Sequence, residues 1–390
     1  MSPLEDTVRG YCLGDKEINE WIRNGKLEVP SLQATSTQPS SFDPTIGREV
    51  FLLETGKKGI LKPKKEQTIE QLIKSIPKHL IQKKAIGSGY QLQKGFSYLV
   101  PLQEKVILQP GEVIKSSPKS STGRLFIRTR VLADKNLCID EAHAQYTSGE
   151  EIGLWLLAQP LALNVVVHPN MALTQLRFFD GLDSMLLDQE IRAEHETNPL
   201  LYHEKTEEKN VPVRNPLICQ GLQAHLDLSG KYSNEIIGFR TKRNQEAIDL
   251  QSRGVYNPLD FFEVLKGNGG GELIIKPGDF YLLTGQEIVR IPTTTSAELR
   301  SNTHISLDGP LHLAGFFDPG FCARPLYEIR SDETTPITLT HGMPLSRFEF
   351  HHNVEPTHPY GHKAVGSTFQ GQKGIKLPKP FKPLELADIE

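Results

Sequence analysis

Tyr98-Leu-Val-Pro-Leu-Gln-Glu104 and Tyr281-Leu-Leu-Thr-Gly-Gln-Glu287 are two versions of one phrase. Each precedes a short apolar run that ends near a proline, Pro110 in the first case and Pro292 in the second. Working outward, Lys119-Ser120-Ser121 stands where Arg300-Ser301-Asn302 stands in the second copy. Further on, His168-Pro-Asn-Met171-Ala-Leu173 matches Thr340-His-Gly-Met343-Pro-Leu345. Upstream, Ser41-Phe-Asp43-Pro-Thr-Ile-Gly47 has a fainter echo in His225-Leu-Asp227-Leu-Ser-Gly230. The matches keep their order and nearly their spacing, which is the signature of an internal repeat. The reading is two copies, residues 1–182 and 214–390, joined by a polar segment, residues 183–213.

The repeated unit reads as β. Glycine (32) and proline (27) punctuate short runs such as VILQPGEV, GRLFIRTRVLAD, GELIIKPGDFYLL and LTQLRFF. Apolar runs of this length between turn formers are strand signals. Helical signals are few: KEINEWIRNGK, which Asp15 can cap, EQTIEQLIKSI and DQEIRAEHE. The chain has 390 residues, 37% hydrophobic and 23% charged, enough apolar material for two cores. A net charge of −3 argues against a duplex nucleic-acid footprint, so no nucleic-acid partner is expected. The longest apolar stretch, Leu154 to Val167, is broken by Gln159, Pro160 and Asn164, so no membrane span is expected. No signal-peptide pattern opens the sequence. Cys12, Cys138, Cys219 and Cys322 lie far apart, which suits a reducing, cytoplasmic setting better than a disulfide scaffold.

Two stretches carry chemistry. Leu311-His-Leu-Ala314-Gly315-Phe-Phe-Asp318-Pro-Gly-Phe321 contains a turn sequence, Asp-Pro-Gly, between apolar runs, and reads as a β-hairpin tip. Glu328 follows on the returning strand among Pro325, Leu326, Tyr327 and Ile329. A carboxylate in such company is a candidate proton shuttle, or else an exposed strand residue. Pro118-Lys119-Ser120-Ser121-Thr122-Gly123-Arg124 packs the two serine hydroxyls, two cations and a glycine into one loop, a composition suited to a phosphate ester.

These stretches, with Pro359-Tyr360-Gly361 and Phe369-Gln370-Gly-Gln372-Lys373-Gly374, resemble the deoxycytidine triphosphate (dCTP) deaminases. That family belongs to the trimeric dUTPase-like superfamily of distorted jelly-roll β-barrels. The length and duplication are similar to its long, two-module bacterial form. The resemblance implies an all-β chain of two tandem jelly-roll barrel modules with small peripheral helices, in a trimer-based homo-oligomer. It implies deamination of dCTP to dUTP and ammonia, supplying dUTP for thymidylate synthesis. By position, Glu328 falls on the catalytic glutamate. Lys119, Ser120, Ser121 and Arg124 fall on the phosphate motif. Ala314 and Gly315 fall where backbone reads the pyrimidine, and Phe321 falls where a ring packs on deoxyribose. Tyr360, Gln370 and Gln372 fall on the closing segment. Asp318 lies where the diphosphatases of the superfamily carry their catalytic aspartate.

The copies have diverged. The second keeps Arg300 and Ser301 of the phosphate motif but has Asn302 and Ile305 where Ser and Arg are expected. The first lacks the glutamate; its returning strand reads Leu156, Leu157, Ala158. Each copy thus keeps what the other lost, and a site shared by Lys119–Arg124 and Glu328 is expected. A three-module ring cannot alternate two module types, so stacked rings or pairing within one chain are the arrangements open to it. Neither H-x-E nor P-C-x-x-C, the zinc deaminase signature, occurs, so no zinc or other protein-bound metal is expected. Mg2+ is expected only on the substrate triphosphate. Alternatives are a dUTP diphosphatase, a bifunctional enzyme, and a non-catalytic nucleotide-binding regulator.

Overall fold

The computed structural model describes residues 9–33, 36–54, 61–147, 149–181, 183–206, 209–231, 235–267, 269, 271–302, 311–313, 315–330 and 334–384. The chain is built from many short strands and a few small helices. One sheet of the first half runs Ile81–Ala85, Glu49–Leu53, Ser97–Ile107, Glu151–Pro160, Ile127–Ala133. The second half runs Phe262–Lys266, Ile236–Thr241, Phe280–Thr284, Leu326–Arg330, Leu311–His312 in the same spatial order. A second sheet also recurs. Tyr11–Cys12, Thr174–Asp180, Glu112–Pro118 and Glu141–His143 correspond to Leu222–His225, Pro344–His352, Thr295–Ser301 and Phe316–Phe317.

The repeated phrase does the same work twice. The Tyr98 hydroxyl accepts the Gln93 N–H at 2.8 Å, and the Tyr281 hydroxyl accepts the Lys276 N–H at 3.0 Å. Glu104, buried, accepts the Thr45 N–H at 2.8 Å, and Glu287, buried, accepts the His225 N–H at 3.0 Å. Each tyrosine pins the turn before its strand, and each glutamate holds an upstream segment of its own half, at Thr45 and at His225. Buried carboxylates need such donors, because an unpaired one is costly.

The three helices expected from sequence form at Asp15–Arg23, Ile69–Ser75 and Asp188–Thr197. The first starts one residue earlier than its expected cap: Gly14 is the N-cap and Asp15 is already helical. Asp15 turns instead to the far end of the chain, where its carboxylate accepts the N–H groups of Thr357 (2.7 Å) and His358 (3.2 Å). Residues 183–213 carry the third helix and a hairpin, Leu201–Thr206 with Lys209–Pro212, whose first strand pairs with Ile288–Arg290.

The halves share a core. Phe239, Phe262, Phe280, Leu282 and Leu326 of the second half lie in one apolar cluster with Phe126, Leu156 and Phe178 of the first. Asn164–Val167 pairs in parallel with Ala247–Asp249, a strand link across the halves. Arg177 and Glu298, both buried, form an ion pair between them. The charges of Arg177 and Arg300 overcome the upward push of burial and hold the Glu298 carboxyl down at about 2. Among the described residues no helix is long and apolar enough to cross a membrane.

Candidate active site

Pro118 ends the strand Glu112–Pro118, and the chain then makes one helical turn at Ser120–Gly123. The turn is closed by Thr122 and Gly123 N–H groups on the Lys119 carbonyl (2.8 and 2.9 Å) and by Arg124 N–H on the Ser120 carbonyl (3.1 Å). It leaves the serines at the surface of a cleft and turns Arg124 inward, to 4% exposure. The cleft has a volume of about 780 Å³, within the usual size for a small-molecule site.

The opposite wall comes from the second half. Leu326–Arg330 pairs with Phe280–Thr284, with Glu328 opposite Leu282. Strand alternation puts Tyr327 and Ile329 in the second-half core and Leu326 in the core that spans the halves. Glu328 shares the face of Leu326, is 1% exposed, and lines the cleft.

The Asp318-Pro319-Gly320 turn also reaches the cleft, but the expected hairpin is corrected. The flanking strands do not pair with each other: Phe316–Phe317 joins Thr295–Ser301, whereas Cys322–Ala323 joins Ile288–Arg290. The turn therefore bridges two sheets. Gly320 has φ +90, and a Cβ there would sit 2.8 Å from Pro359 Cβ, so the turn and the closing segment require glycine. Asp318 Oδ1 accepts from the Ser40 N–H at 3.3 Å and from its hydroxyl at 3.5 Å. Burial, with the nearby Asp43 charge, pushes the Asp318 carboxyl up to about 7.

The closing segment covers one side. Arg124 Nη1 donates to Gln372 Oε1 at 3.0 Å and to the Lys376 carbonyl, and its guanidinium lies 3.5 Å over the Phe369 ring. Gln372 in turn donates to the Arg324 carbonyl at 2.8 Å. Tyr360 packs on Phe321 with ring centres 5.7 Å apart, and its hydroxyl accepts the Phe369 N–H at 3.1 Å. Burial lowers Arg124 to about 10, and the Glu328 charge acts in the opposite sense, so the two groups feel each other across the cleft.

Lys119, Ser120, Ser121, Arg124, Asp318, Phe321, Glu328, Tyr360 and Gln372 thus meet at one place. Four expected residues do not. Arg300 is paired with Glu298 and Glu349, which holds it away from the cleft, and Ser301 precedes the undescribed stretch outside it. Gly315 packs instead against Ser117, where a Cβ would lie 2.9 Å from the serine Cβ, and its carbonyl accepts the Leu299 N–H. Gln370 braces the Asp-Pro-Gly turn from behind, accepting the Cys322 N–H at 2.9 Å and donating to the Gly320 carbonyl at 3.1 Å. Ala314 lies outside the described residues. Three partners escaped the sequence reading. Asp43 holds Lys119 in an ion pair, Ser40 holds Asp318, and Phe369 stacks on Arg124. Asp43 and Phe369 sat inside quoted motifs, but nothing local marked what they would touch.

Two copies of one β unit thus enclose a cleft with a hydroxyl-and-cation loop on one wall and a buried carboxylate on the other. The profile for "2'-deoxycytidine 5'-triphosphate deaminase (DCD), C-terminal domain" matches residues 187–381, and that for the N-terminal domain matches residues 10–182. The chain belongs to the dCTP deaminase family. It is similar to the crystal structure of the 2'-deoxycytidine 5'-triphosphate deaminase from Agrobacterium tumefaciens, with a TM-score of 0.78 and 30% identity over 89% of this chain and 98% of that one. It is 34% identical over 118 residues to a protein of Nocardioides sp. named "dCTP deaminase, dUMP-forming". It is 36% identical over 119 residues to one of the same name from Bifidobacterium animalis subsp. lactis. Each match covers 30% of this chain, which spans 62% of the length of these relatives.

Proposed function

We propose that the protein deaminates dCTP by hydrolysis, giving dUTP and ammonia. One observation carries the reading: the loop Lys119–Arg124 and Glu328, kept by different copies, line the same cleft of a single chain. Ser120, Ser121 and Lys119 hold the phosphates, with Arg124 behind them, and Phe321 and Tyr360 flank the deoxyribose. Glu328 takes a proton from a water, and the hydroxide oxygen bonds to C4 of cytosine. The protonated Glu328 returns the proton to the amino nitrogen, the C4–N bond breaks and ammonia leaves, and the proton of the new C4 hydroxyl moves to N3, leaving the carbonyl of uracil. Mg2+ enters on the triphosphate as part of the substrate. Zinc plays no part in this scheme, a reading supported by the missing H-x-E and P-C-x-x-C motifs. Each half is read as a distorted jelly roll of the dUTPase-like kind, supported by the recurring strand order. Trimer-based assembly and a cytoplasmic location complete the proposal.

The test is dCTP turnover with and without Glu328→Gln. The amide keeps the shape of the carboxylate but cannot accept the proton. Turnover falls by about 10²–10⁴-fold while dCTP binding persists. Near wild-type turnover in the purified variant removes Glu328 from the mechanism.

A second reading has its own observation. Asp318 lies in the same cleft with a carboxyl near neutrality. A base there can activate a water for attack on the α-phosphorus of dUTP, breaking the bond to the bridging oxygen and releasing dUMP and pyrophosphate. Product analysis after incubation with dCTP decides it: dUTP with ammonia supports deamination alone, and dUMP with pyrophosphate supports both steps.

A further inference from the structure

Two more cations reach the cleft from segments outside every motif above. Arg253 and Lys379 both line it, along with Lys119. Backbone pairing sets them side by side. Gly254 N–H donates to the Lys379 carbonyl at 2.9 Å, and Val255 N–H donates to the Pro380 carbonyl at 2.8 Å. Tyr256 and Phe381 continue the pairing as a parallel bridge, their rings 6.3 Å apart, and Phe381 is buried in the shared core. The zipper is therefore fixed at its far end by apolar packing. Arg253 Nη1 donates to the carbonyls of Leu250, Gln251 and Ser252 at 3.3, 3.1 and 2.9 Å, which folds its guanidinium over its own loop.

This arrangement brings like charges together. Partial desolvation at the cleft, then the charges of Arg253, Lys119 and Lys376, push the Lys379 ammonium below its ordinary range. The charges acting on Lys379 are all positive. Repulsion of this kind opposes folding unless an anion completes the cluster. Lys119 is in contact with the Asp43 carboxylate, whereas the acceptors of the Arg253 guanidinium are neutral backbone carbonyls. Arg253 and Lys379 both line the cleft that Lys119 and Glu328 also line, so an anion held there by its charge shares the cleft with the carboxylate.

We propose that Arg253 and Lys379, together with Lys119, bind the terminal phosphates of a nucleoside triphosphate and set its preference over the monophosphate. The identity of the base rests on the deamination reading; the polyphosphate preference does not.

The probe is inorganic tripolyphosphate, titrated calorimetrically into the full chain with orthophosphate as comparison. Wild type binds tripolyphosphate the more tightly. Arg253→Gln with Lys379→Gln weakens that binding by about 10–100-fold, as expected for lost charge-assisted hydrogen bonds. Arg253→Lys with Lys379→Arg recovers most of it, which a purely structural role does not allow. In turnover of dCTP the loss appears in KM rather than in kcat. Lys379 is exposed, so Lys379→Gln alone serves if the double variant fails to fold. Unchanged tripolyphosphate affinity in the folded glutamine variant overturns the proposal. Tight tripolyphosphate binding without any dCTP turnover overturns the deamination reading and leaves this site standing.

Discussion

Arg124 and Gln372 are joined by a 3.0 Å hydrogen bond, although one belongs to the Lys119–Arg124 loop of the first half and the other to the C-terminal segment. The guanidinium is thus both a candidate phosphate ligand and the fastener of the closing segment. Stacking on Phe369 strengthens the second role, since a desolvated cation–π contact is worth about 2 kcal/mol.

Arg124→Ala is expected to raise KM for dCTP by about 10–100-fold, the loss of a charge-assisted interaction. Binding of deoxycytidine, which has no phosphates, changes little. Melting temperature and KM measured on one preparation separate this from a purely structural role, which lowers stability and leaves KM where it was. Arg124→Lys is not a rescue, because an ammonium cannot fork to Gln372 and the Lys376 carbonyl while stacking on a ring.

Asp15→Asn releases the root of the same segment. The carboxylate holds the N–H groups of Thr357 and His358, just ahead of Tyr360. Bonds to a charged acceptor contribute about 1.5–3 kcal/mol each, and an amide oxygen contributes less. The expected results are faster proteolysis of the segment after Tyr360 and a higher KM for dCTP, with the sheets intact by circular dichroism. Unchanged cleavage rates exclude Asp15 as the anchor.

Stability should carry the mark of Asp318. Its folded pKa, about 7, lies above the ordinary 3.8. A carboxyl of this kind holds its proton more tightly when folded, so its contribution is complete below the unfolded value and is lost as pH rises toward about 7. The gap corresponds to on the order of 4 kcal/mol. Asp318→Asn, which never ionises, should therefore gain melting temperature relative to wild type between about pH 4.5 and about pH 8. A difference that stays flat across this range contradicts the buried, proton-holding carboxyl. Any dUMP formation should rise over the same interval and vanish in the variant.

The buried pair Arg177–Glu298 gives an energetic prediction. Arg177→Met leaves the buried Glu298 carboxylate with Arg300 as its remaining arginine partner and should cost up to about 3–5 kcal/mol in denaturant unfolding. Arg177→Met with Glu298→Leu removes both charges and should recover most of that loss, with Arg300 still able to pair with Glu349.

Much of this was legible in the repeat. The phrase beginning at Tyr98 and again at Tyr281 opens on a tyrosine whose hydroxyl holds the turn just before its strand and closes on a glutamate that holds a segment about sixty residues upstream in its own half, so each copy keeps both residues. Glu328 was readable because alternation along a strand assigns its face. Arg300 shows the limit: it keeps the motif's spelling, but Glu298 two residues back and Glu349 across the sheet take its charge. The bridging turn at Asp318 reads as a hairpin in sequence because Asp-Pro-Gly specifies a reversal without specifying the sheets it joins. Arg253 and Lys379 left no local mark, since only the pairing of residues 254 and 379 brings them together.

The cleft lies between halves that share one polypeptide. Loop and glutamate need not find each other by diffusion; residues 183–213 tether them, and the shared core fixes their geometry. The effective concentration of one half for the other is independent of how dilute the protein is. Each chain brings one such loop and one such glutamate to the cleft, which leaves the second loop and the first returning strand free to diverge.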